Sequence, residues 1–129
     1  MPVVKQLTVM MENRPGALAE LCTEMAKVAV NISAIHSGEG GPFVPVRMVV
    51  SHPDAAKRVC QALKLHYVEQ DVVAVKVADR PGSLGKLTRK LSEKGVNIEY
   101  VYGSIGRSTT QAMIVLGVSD IHAAARVVK

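Results

Sequence analysis

The sequence contains one segment twice. Asn13-Arg14-Pro15-Gly16-Ala17-Leu18 returns as Asp79-Arg80-Pro81-Gly82-Ser83-Leu84, at an offset of 66 residues (80 − 14). The same offset extends without a gap through the rest of both copies and pairs Asp54 with Asp120. Repetition at a fixed period predicts two copies of one structural module. The most closely matched stretch is a turn and a helix start, and such connecting segments carry function more often than strands do.

The apolar residues give both copies the same order of elements. Residues 4–11 alternate between apolar and polar side chains, which is typical of a half-buried strand, and Pro15-Gly16 ends that strand. Apolar residues then recur at helical spacing over about 16–29. Two further strands, a second helix with Asp54 as its N-cap and a short strand at 66–69 complete the first copy.

The second copy repeats this order up to its second helix, which opens at Asp120. The elements therefore read βαββαβ followed by βαββα. The predicted fold class is α+β, with two ferredoxin-like βαββαβ modules in tandem, antiparallel sheets and helices on one face. We expect the modules at residues 1–69 and 70–129. The second should lack its last strand, because the offset places that strand beyond Lys129.

Composition excludes several classes of protein. Hydrophobic residues make up 48% of the chain and charged residues 21%, which suits a globular protein. No apolar run approaches the length of a membrane span, and the N-terminus lacks the basic and apolar segments of a secretion signal. We therefore expect a cytoplasmic protein with no membrane partner. In that compartment Cys22 and Cys60 should be reduced thiols.

No set of residues suggests catalysis. The four histidines are scattered, and none lies at metal-ligand spacing with cysteines or carboxylates. Neither a phosphate-binding loop of the GxxxxGK[ST] type nor a dinucleotide fingerprint is present. The sequence therefore predicts a protein that is not an enzyme, with no catalytic residues, no metal site and no cofactor.

A strand ending in Asn/Asp-Arg-Pro-Gly, a leucine two residues on and a later Val-Asn-Ile strand together resemble the ACT domain. Both copies carry the later element, as Val30-Asn31-Ile32 and Val96-Asn97-Ile98, and the resemblance covers nearly the whole chain. It implies a stand-alone tandem ACT protein. Such a protein binds a free amino acid or a similar small effector between paired modules and regulates a partner, for instance an enzyme.

The chemistry of the turn also suits an amino acid. N–H groups at a helix start bind carboxylates, glycine lets a ligand approach the backbone, and asparagine can meet either end of a zwitterion. The serine contacts in the regulatory domain of phosphoglycerate dehydrogenase, which the chain resembles, correspond to Asn13, Asn31 and Met11, although a histidine stands at the Met11 position there. The expected ligand-binding residues are Met11, Asn13, Arg14, Pro15, Gly16, Ala17, Leu18, Asn31 and Ile32, and in the second copy Val77, Asp79, Arg80, Pro81, Gly82, Ser83, Leu84, Asn97 and Ile98.

Structural roles remain open for the same residues. The Asn or Asp that opens each motif can cap the following helix, and the asparagine of the later strand can satisfy local backbone. The two arginines can form surface ion pairs.

Two other functions are also open. The chain can be a protein-interaction or structural module that binds no ligand. Less favoured is a nucleic-acid binder, using a basic face formed by Lys86, Arg89, Lys90 and Lys94 opposite an inner row of leucines that begins at Leu84. Aromatic side chains for base stacking are few, with one Phe, three Tyr and no Trp.

We predict a homodimer or a higher homo-oligomer. Modules of this size have marginal cores, and an exposed sheet edge is a template for pairing with another strand. Light scattering of a concentrated solution should give at least twice the chain mass of 13.8 kDa. A value of 13.8 kDa at high concentration would refute the prediction.

Overall fold

A computed structural model describes residues 3–105 and 110–128, and within these ranges it confirms the α+β class with tandem ferredoxin-like modules. No helix in the described ranges is long and apolar enough to cross a lipid bilayer. The elements are β1 (Val3–Glu12), α1 (Ala17–Lys27), β2 (Ile32–Ser37), β3 (Phe43–Val50), α2 (Pro53–Ala62), β4 (Tyr67–Ala78), α3 (Ser83–Glu93), β5 (Ile98–Ile105), β6 (Gln111–Val118) and α4 (Ile121–Val128).

The first compact unit comprises Lys5–Gln70. Its strands follow the order β2, β3, β1 and the start of β4. β1 and β3 are antiparallel, with Val9 opposite Val46. Both side chains point to the helices because alternate residues of a strand share one face. They form one core with Leu21 of α1 and Cys60 of α2, so both helices cover the same face of the sheet.

The second compact unit comprises residues 71–128 together with Val3 and Val4. Its strands follow the order β4, β6 and β5, all antiparallel, with Val73 opposite Leu116. These two side chains form a core with residues of α3 and α4. The predicted limits of independent domains, 1–69 and 70–129, stay a prediction, since compactness alone does not test them.

One predicted boundary between strands is wrong. The short strand predicted at 66–69 and the first strand of the second module are a single strand, Tyr67–Ala78. Neither glycine nor proline occurs in this stretch, so nothing interrupts extended backbone. The described residues therefore form six strands, where the sequence pattern predicted seven.

The offset between the copies is not constant. Asn13 donates its backbone N–H to the carbonyl oxygen of Pro42 at 2.8 Å, and Asp79 donates to that of Thr110 at 2.7 Å. The acceptors are thus 68 residues apart (110 − 42), while the donors are 66 apart (79 − 13). The hairpin between β5 and β6 is therefore two residues longer than that between β2 and β3.

The longer hairpin changes which residues of α2 in the first module correspond to residues of α4 in the second. At an offset of 68, Ala56 matches Ala124, and both are fully buried in the core of their module. The ungapped match of Asp54 with Asp120 is therefore wrong, although both residues are aspartates.

These two aspartates have different roles. Asp120 accepts a hydrogen bond from the N–H of Ala123 at 3.0 Å, so it caps α4 as expected. Asp54 does not cap α2, whose N-cap is His52. Its carboxylate lies 3.2 Å from Lys57 Nζ, which is also 3.2 Å from Glu69. The hydrogen bonds that Lys57 donates to the carboxylates of Asp54 and Glu69 raise the pKa of Lys57.

The two cysteines are free thiols in different surroundings. Cys60 is fully buried in the core, whereas Cys22 on α1 is half-buried. Burial raises the pKa of the Cys60 thiol above its ordinary value of 9.0, because it disfavours the charged thiolate. Since the thiolate is the reactive form, Cys60 should be protected from alkylation in the folded protein.

We predict that iodoacetamide at pH 8 modifies one thiol of the folded protein readily and the other only on unfolding. Mass spectrometry of digested samples should assign the faster reaction to Cys22. The variant Cys22→Ser should then show no fast reaction. Equal rates for both cysteines in the folded protein would contradict the prediction.

Candidate functional site: the strand-to-helix turns

In each module the first helix begins at a glycine with left-handed backbone. Gly16 is the N-cap of α1 with φ +88°, and Gly82 is the N-cap of α3 with φ +92°. Side chains with a Cβ rarely adopt this conformation. A Cβ on Gly82 would meet no heavy atom within 4 Å, and on Gly16 it would meet only Arg14 Nη1 at 4.0 Å. The backbone angle therefore requires glycine, and the space in front of each turn is open.

These turns leave two N–H groups unsatisfied at each helix start. The N–H group of Ala17 donates to the carbonyl oxygen of Arg14 at 3.3 Å, and that of Glu20 donates to the carbonyl oxygen of Gly16 at 2.9 Å. The N–H groups of Leu18 and Ala19 have no acceptor among the described residues. The second module repeats this arrangement at Leu84-Gly85, with the same two distances. Free N–H groups and the positive end of the helix dipole favour an anion at this position.

The residues that open the motifs are not helix caps. Neither helix start has a hydrogen bond from a capping side chain, since Gly16 and Gly82 occupy the cap positions. Asn13 instead donates a side-chain hydrogen bond to the carbonyl oxygen of Gly41 at 3.0 Å and so holds the β2–β3 turn. Asp79, its exposed counterpart, cannot donate such a bond when ionised.

Each asparagine of the second strand is fixed through its backbone. Asn31 donates its backbone N–H to Ser51 Oγ at 2.9 Å, and Ser51 donates its own N–H to the Asn31 carbonyl oxygen at 2.9 Å. Asn97 and Ser119 make the same pair of bonds at the same distances. The asparagine amides are exposed and make no hydrogen bond to described residues, so they are available to a ligand. Sequence analysis missed the serines because they correspond only at the offset of 68 residues.

The two arginines differ in their surroundings. Exposed Arg14 forms a surface ion pair, with Nε 3.4 Å from Glu12 and Nη2 3.8 Å from Glu20. The equivalents of these two glutamates in the second module are Ala78 and Lys86. No carboxylate among the described residues forms an ion pair with Arg80. The charge of Arg14 is therefore neutralised within its own module, whereas the charge of Arg80 is not.

The motif leucines do not belong to the cores. Leu18 and Leu84 are each 43% exposed, beside the free N–H groups. Leu84 was expected on the inner side of α3 with Leu87 and Leu91, but only the latter two are buried. The exposed leucines give each turn an apolar contact surface next to its anion-binding groups.

The structure does not gather all the predicted residues at one place. Met11, 4% exposed, and Ala17 are buried in the first core, and Ile32, Val77 and Ile98 pack against their cores. In the second module Val77, Arg80 and Ser83 line a cavity of about 270 Å³, while Asn97 and Ile98 line an open groove of about 430 Å³. The exposed members are Asn13, Arg14, Pro15, Gly16, Leu18 and Asn31, with Asp79, Arg80, Pro81, Gly82, Leu84 and Asn97.

Comparison with known proteins identifies the family. Residues 2–128 match the family described as the ACT domain pair, so the chain belongs to that family. ACT domains are regulatory, non-catalytic modules, and the chain resembles regulatory domains that bind small-molecule effectors.

Solved structures agree with this assignment. Protein BT0572 from Bacteroides thetaiotaomicron is 32% identical with a TM-score of 0.90, over 98% of this chain and 86% of that one. The ligand-free regulatory subunit of aspartate kinase from Thermus thermophilus is 17% identical with a TM-score of 0.69, over 99% of this chain and 95% of that one. At that identity the likeness shows the fold alone. No curated protein matches the sequence.

We predict opposite effects of alanine at two neighbouring glycines of α3. Gly82→Ala should lower the free energy of unfolding by about 1–2 kcal/mol, because alanine is strained at φ +92°. Gly85→Ala, inside the helix with open space at its Cβ, should raise it by up to about 1 kcal/mol. Urea denaturation measures both. Destabilisation of equal size at the two positions would show that packing, not backbone conformation, sets the requirement.

Proposed function

We propose that this protein is a non-catalytic regulatory protein of the cytoplasm that binds a free amino acid or a similar small effector. The ligand occupies the strand-to-helix turns, between paired modules, and its binding changes the activity of a partner protein. The observation that carries this proposal is the repeated pair of free N–H groups on a left-handed glycine turn. It occurs in a chain of the ACT domain pair family.

Each part of an amino acid has a complementary group at the turn. The carboxylate accepts hydrogen bonds from the N–H groups of Leu18 and Ala19, or of Leu84 and Gly85, where the helix dipole adds to the attraction. The exposed leucine side chain contacts the apolar part of the ligand.

The polar groups around the turn differ between the modules. The exposed amide of Asn31 or Asn97 can donate to the carboxylate or accept from the ammonium group. In the second module Asp79 adds a carboxylate that attracts the ammonium group. The two modules therefore differ in their preference among amino acids.

A homodimer fits the distribution of the predicted residues. Within the second module the predicted residues divide between two surface cavities, one lined by Val77, Arg80 and Ser83 and the other by Asn97 and Ile98. A second copy of the chain, placed over the turn, would supply the missing wall of the site. An ACT-fold regulatory subunit of aspartate kinase supports the proposal that the regulated partner here is an enzyme.

The aromatic residues of β5 do not favour the nucleic-acid alternative. Base stacking requires exposed aromatic faces, and Tyr102 is buried while Tyr100 is half-buried. Phe43 of the first module is exposed. The exposed lysines of α3 remain a surface for anions.

We predict that at least one amino acid in a panel of free amino acids stabilises the protein in a thermal-shift assay. At a hundredfold excess over the dissociation constant, a ligand adds about 2.7 kcal/mol to the free energy of unfolding. For a chain of this size, that corresponds to about 5–10 °C in melting temperature. If no amino acid raises the melting temperature of the wild-type protein, the amino-acid proposal is wrong. The preferred function is then that of a protein-interaction module without a ligand.

Single variants should show which residues contact the stabilising amino acid. Asn31→Ala and Asn97→Ala remove the exposed amides and should reduce the shift while leaving the unliganded melting temperature nearly unchanged. Thr23→Ala, which removes an exposed polar side chain on α1 away from the turn, is the control and should keep the full shift. An undiminished shift in both asparagine variants would place the ligand elsewhere.

A further inference from the structure

The first helices of the two modules carry opposite charges on equivalent faces. Glu20 and Glu24 of α1 correspond to Lys86 and Lys90 of α3 at the offset of 66 residues that holds for these elements. Glu20 forms an ion pair with Arg14, whereas Arg80 has Lys86 at the equivalent position. Duplication has therefore preserved the backbone of the turn and reversed the charge beside it.

The reversed charges surround a cavity of about 270 Å³ in the second unit, which we call the α3 basic pocket. Its cationic residues are Lys76, Arg80, Lys86 and Lys90, and none of the described residues that line it is acidic. The hydroxyl group of Ser83 adds a hydrogen-bond donor. Its apolar residues are Val75, Val77, Ala78, Leu87, Val127 and Val128.

Lys76 lies between Val75 and Val77 on β4, so its side chain is on the opposite face of the sheet. The positive charges of Arg80, Lys86 and Lys90 around one small cavity repel each other and create a positive potential, which a concave surface concentrates. None of the three forms an ion pair with a carboxylate among the described residues. A bound anion would remove this repulsion, and a group with two negative charges would remove more of it than a single carboxylate. Lysine and arginine head groups are also the usual donors to phosphate oxygens.

The apolar residues narrow the choice of anion further. An inorganic ion would leave the valines in contact with water, while a ligand with a small hydrocarbon body would bury them, which is favourable. The volume of about 270 Å³ is slightly below the roughly 300 Å³ at which pockets for drug-sized ligands begin, so the ligand is small. An ammonium group finds no carboxylate here, and for this reason the pocket does not favour a free amino acid.

We propose that the α3 basic pocket binds a small phosphate monoester with an apolar body. The phosphate group lies among the side chains of Arg80, Lys86 and Lys90, and the hydrocarbon part lies against the valines. This inference goes beyond the proposed amino-acid function and does not rest on it, although Val77, Arg80 and Ser83 are also among the residues predicted to bind an amino acid. Either can fail alone, because the amino-acid panel and a phosphate titration have separate readouts.

The first test compares three probes on the full chain by isothermal titration calorimetry. Phenyl phosphate has both the phosphate and the apolar body, inorganic phosphate lacks the body, and phenol lacks the charge. We expect phenyl phosphate to bind at least fivefold more tightly than inorganic phosphate, with phenol weaker than both. Equal binding of phenyl phosphate and inorganic phosphate would overturn the monoester assignment in favour of the free ion. Equal binding of phenol, or no binding of phenyl phosphate, would overturn the pocket itself.

The second test uses two variants of the same helix that remove the same charge. Lys86→Gln changes a residue of the pocket, and Arg89→Gln changes an exposed residue of α3 that does not line it. Phenyl phosphate should bind Lys86→Gln at least fivefold more weakly and Arg89→Gln within twofold of wild type. An equal loss in both variants would show that net charge alone attracts the ligand, and it would refute a specific site.

Discussion

The left-handed glycine at each strand-to-helix turn is the constraint on which the candidate site depends. A helix that begins at a serine or aspartate with ordinary N-cap backbone has one of its N–H groups satisfied by that side chain, which stabilises the helix by about 1 kcal/mol. Glycine satisfies none, and both modules forgo that stabilisation. The consequence is a helix start whose hydrogen-bonding capacity remains directed at open space, with a leucine on one side and an arginine on the other.

Duplication kept this geometry while the side chains around it diverged. The backbone angles at Gly16 and Gly82 differ by only a few degrees, and the hydrogen bonds that flank the free N–H groups have equal lengths. The asparagine–serine bonds at the second strand are likewise the same in both modules. The charges differ, because the acidic residues beside Arg14 are replaced by Ala78 and Lys86. One scaffold thus presents two different electrostatic environments.

Most of the fold could be predicted from the period of the apolar residues, since a repeat of two or of 3.6 residues reports directly which side of an element is buried. Leu7 and Val9 in β1, and Leu21 and Met25 in α1, are buried as that period requires. β4 was divided wrongly because the start of the second copy suggested a boundary where the backbone has none. The two extra residues of the second hairpin escaped notice because valines and aspartates still matched by chance. For the site, residue identity alone did not show that Leu84 would be exposed, since that depends on how the turn directs the first helical residues. Met11 is buried, as its alternation with Leu7 and Val9 in β1 requires, and only the family resemblance had placed it among the ligand-binding residues.

The continuity of β4 and the membership of Val3 and Val4 in the second compact unit limit how the chain can be divided. The second compact unit takes residues from both halves of the sequence, and the boundary between Gln70 and Asp71 falls inside β4. No single cut of the backbone therefore separates one complete unit from the other. A short truncation at the start of the chain would remove part of the unit that holds α3 and α4. It would therefore affect the stability of elements more than sixty residues away in sequence.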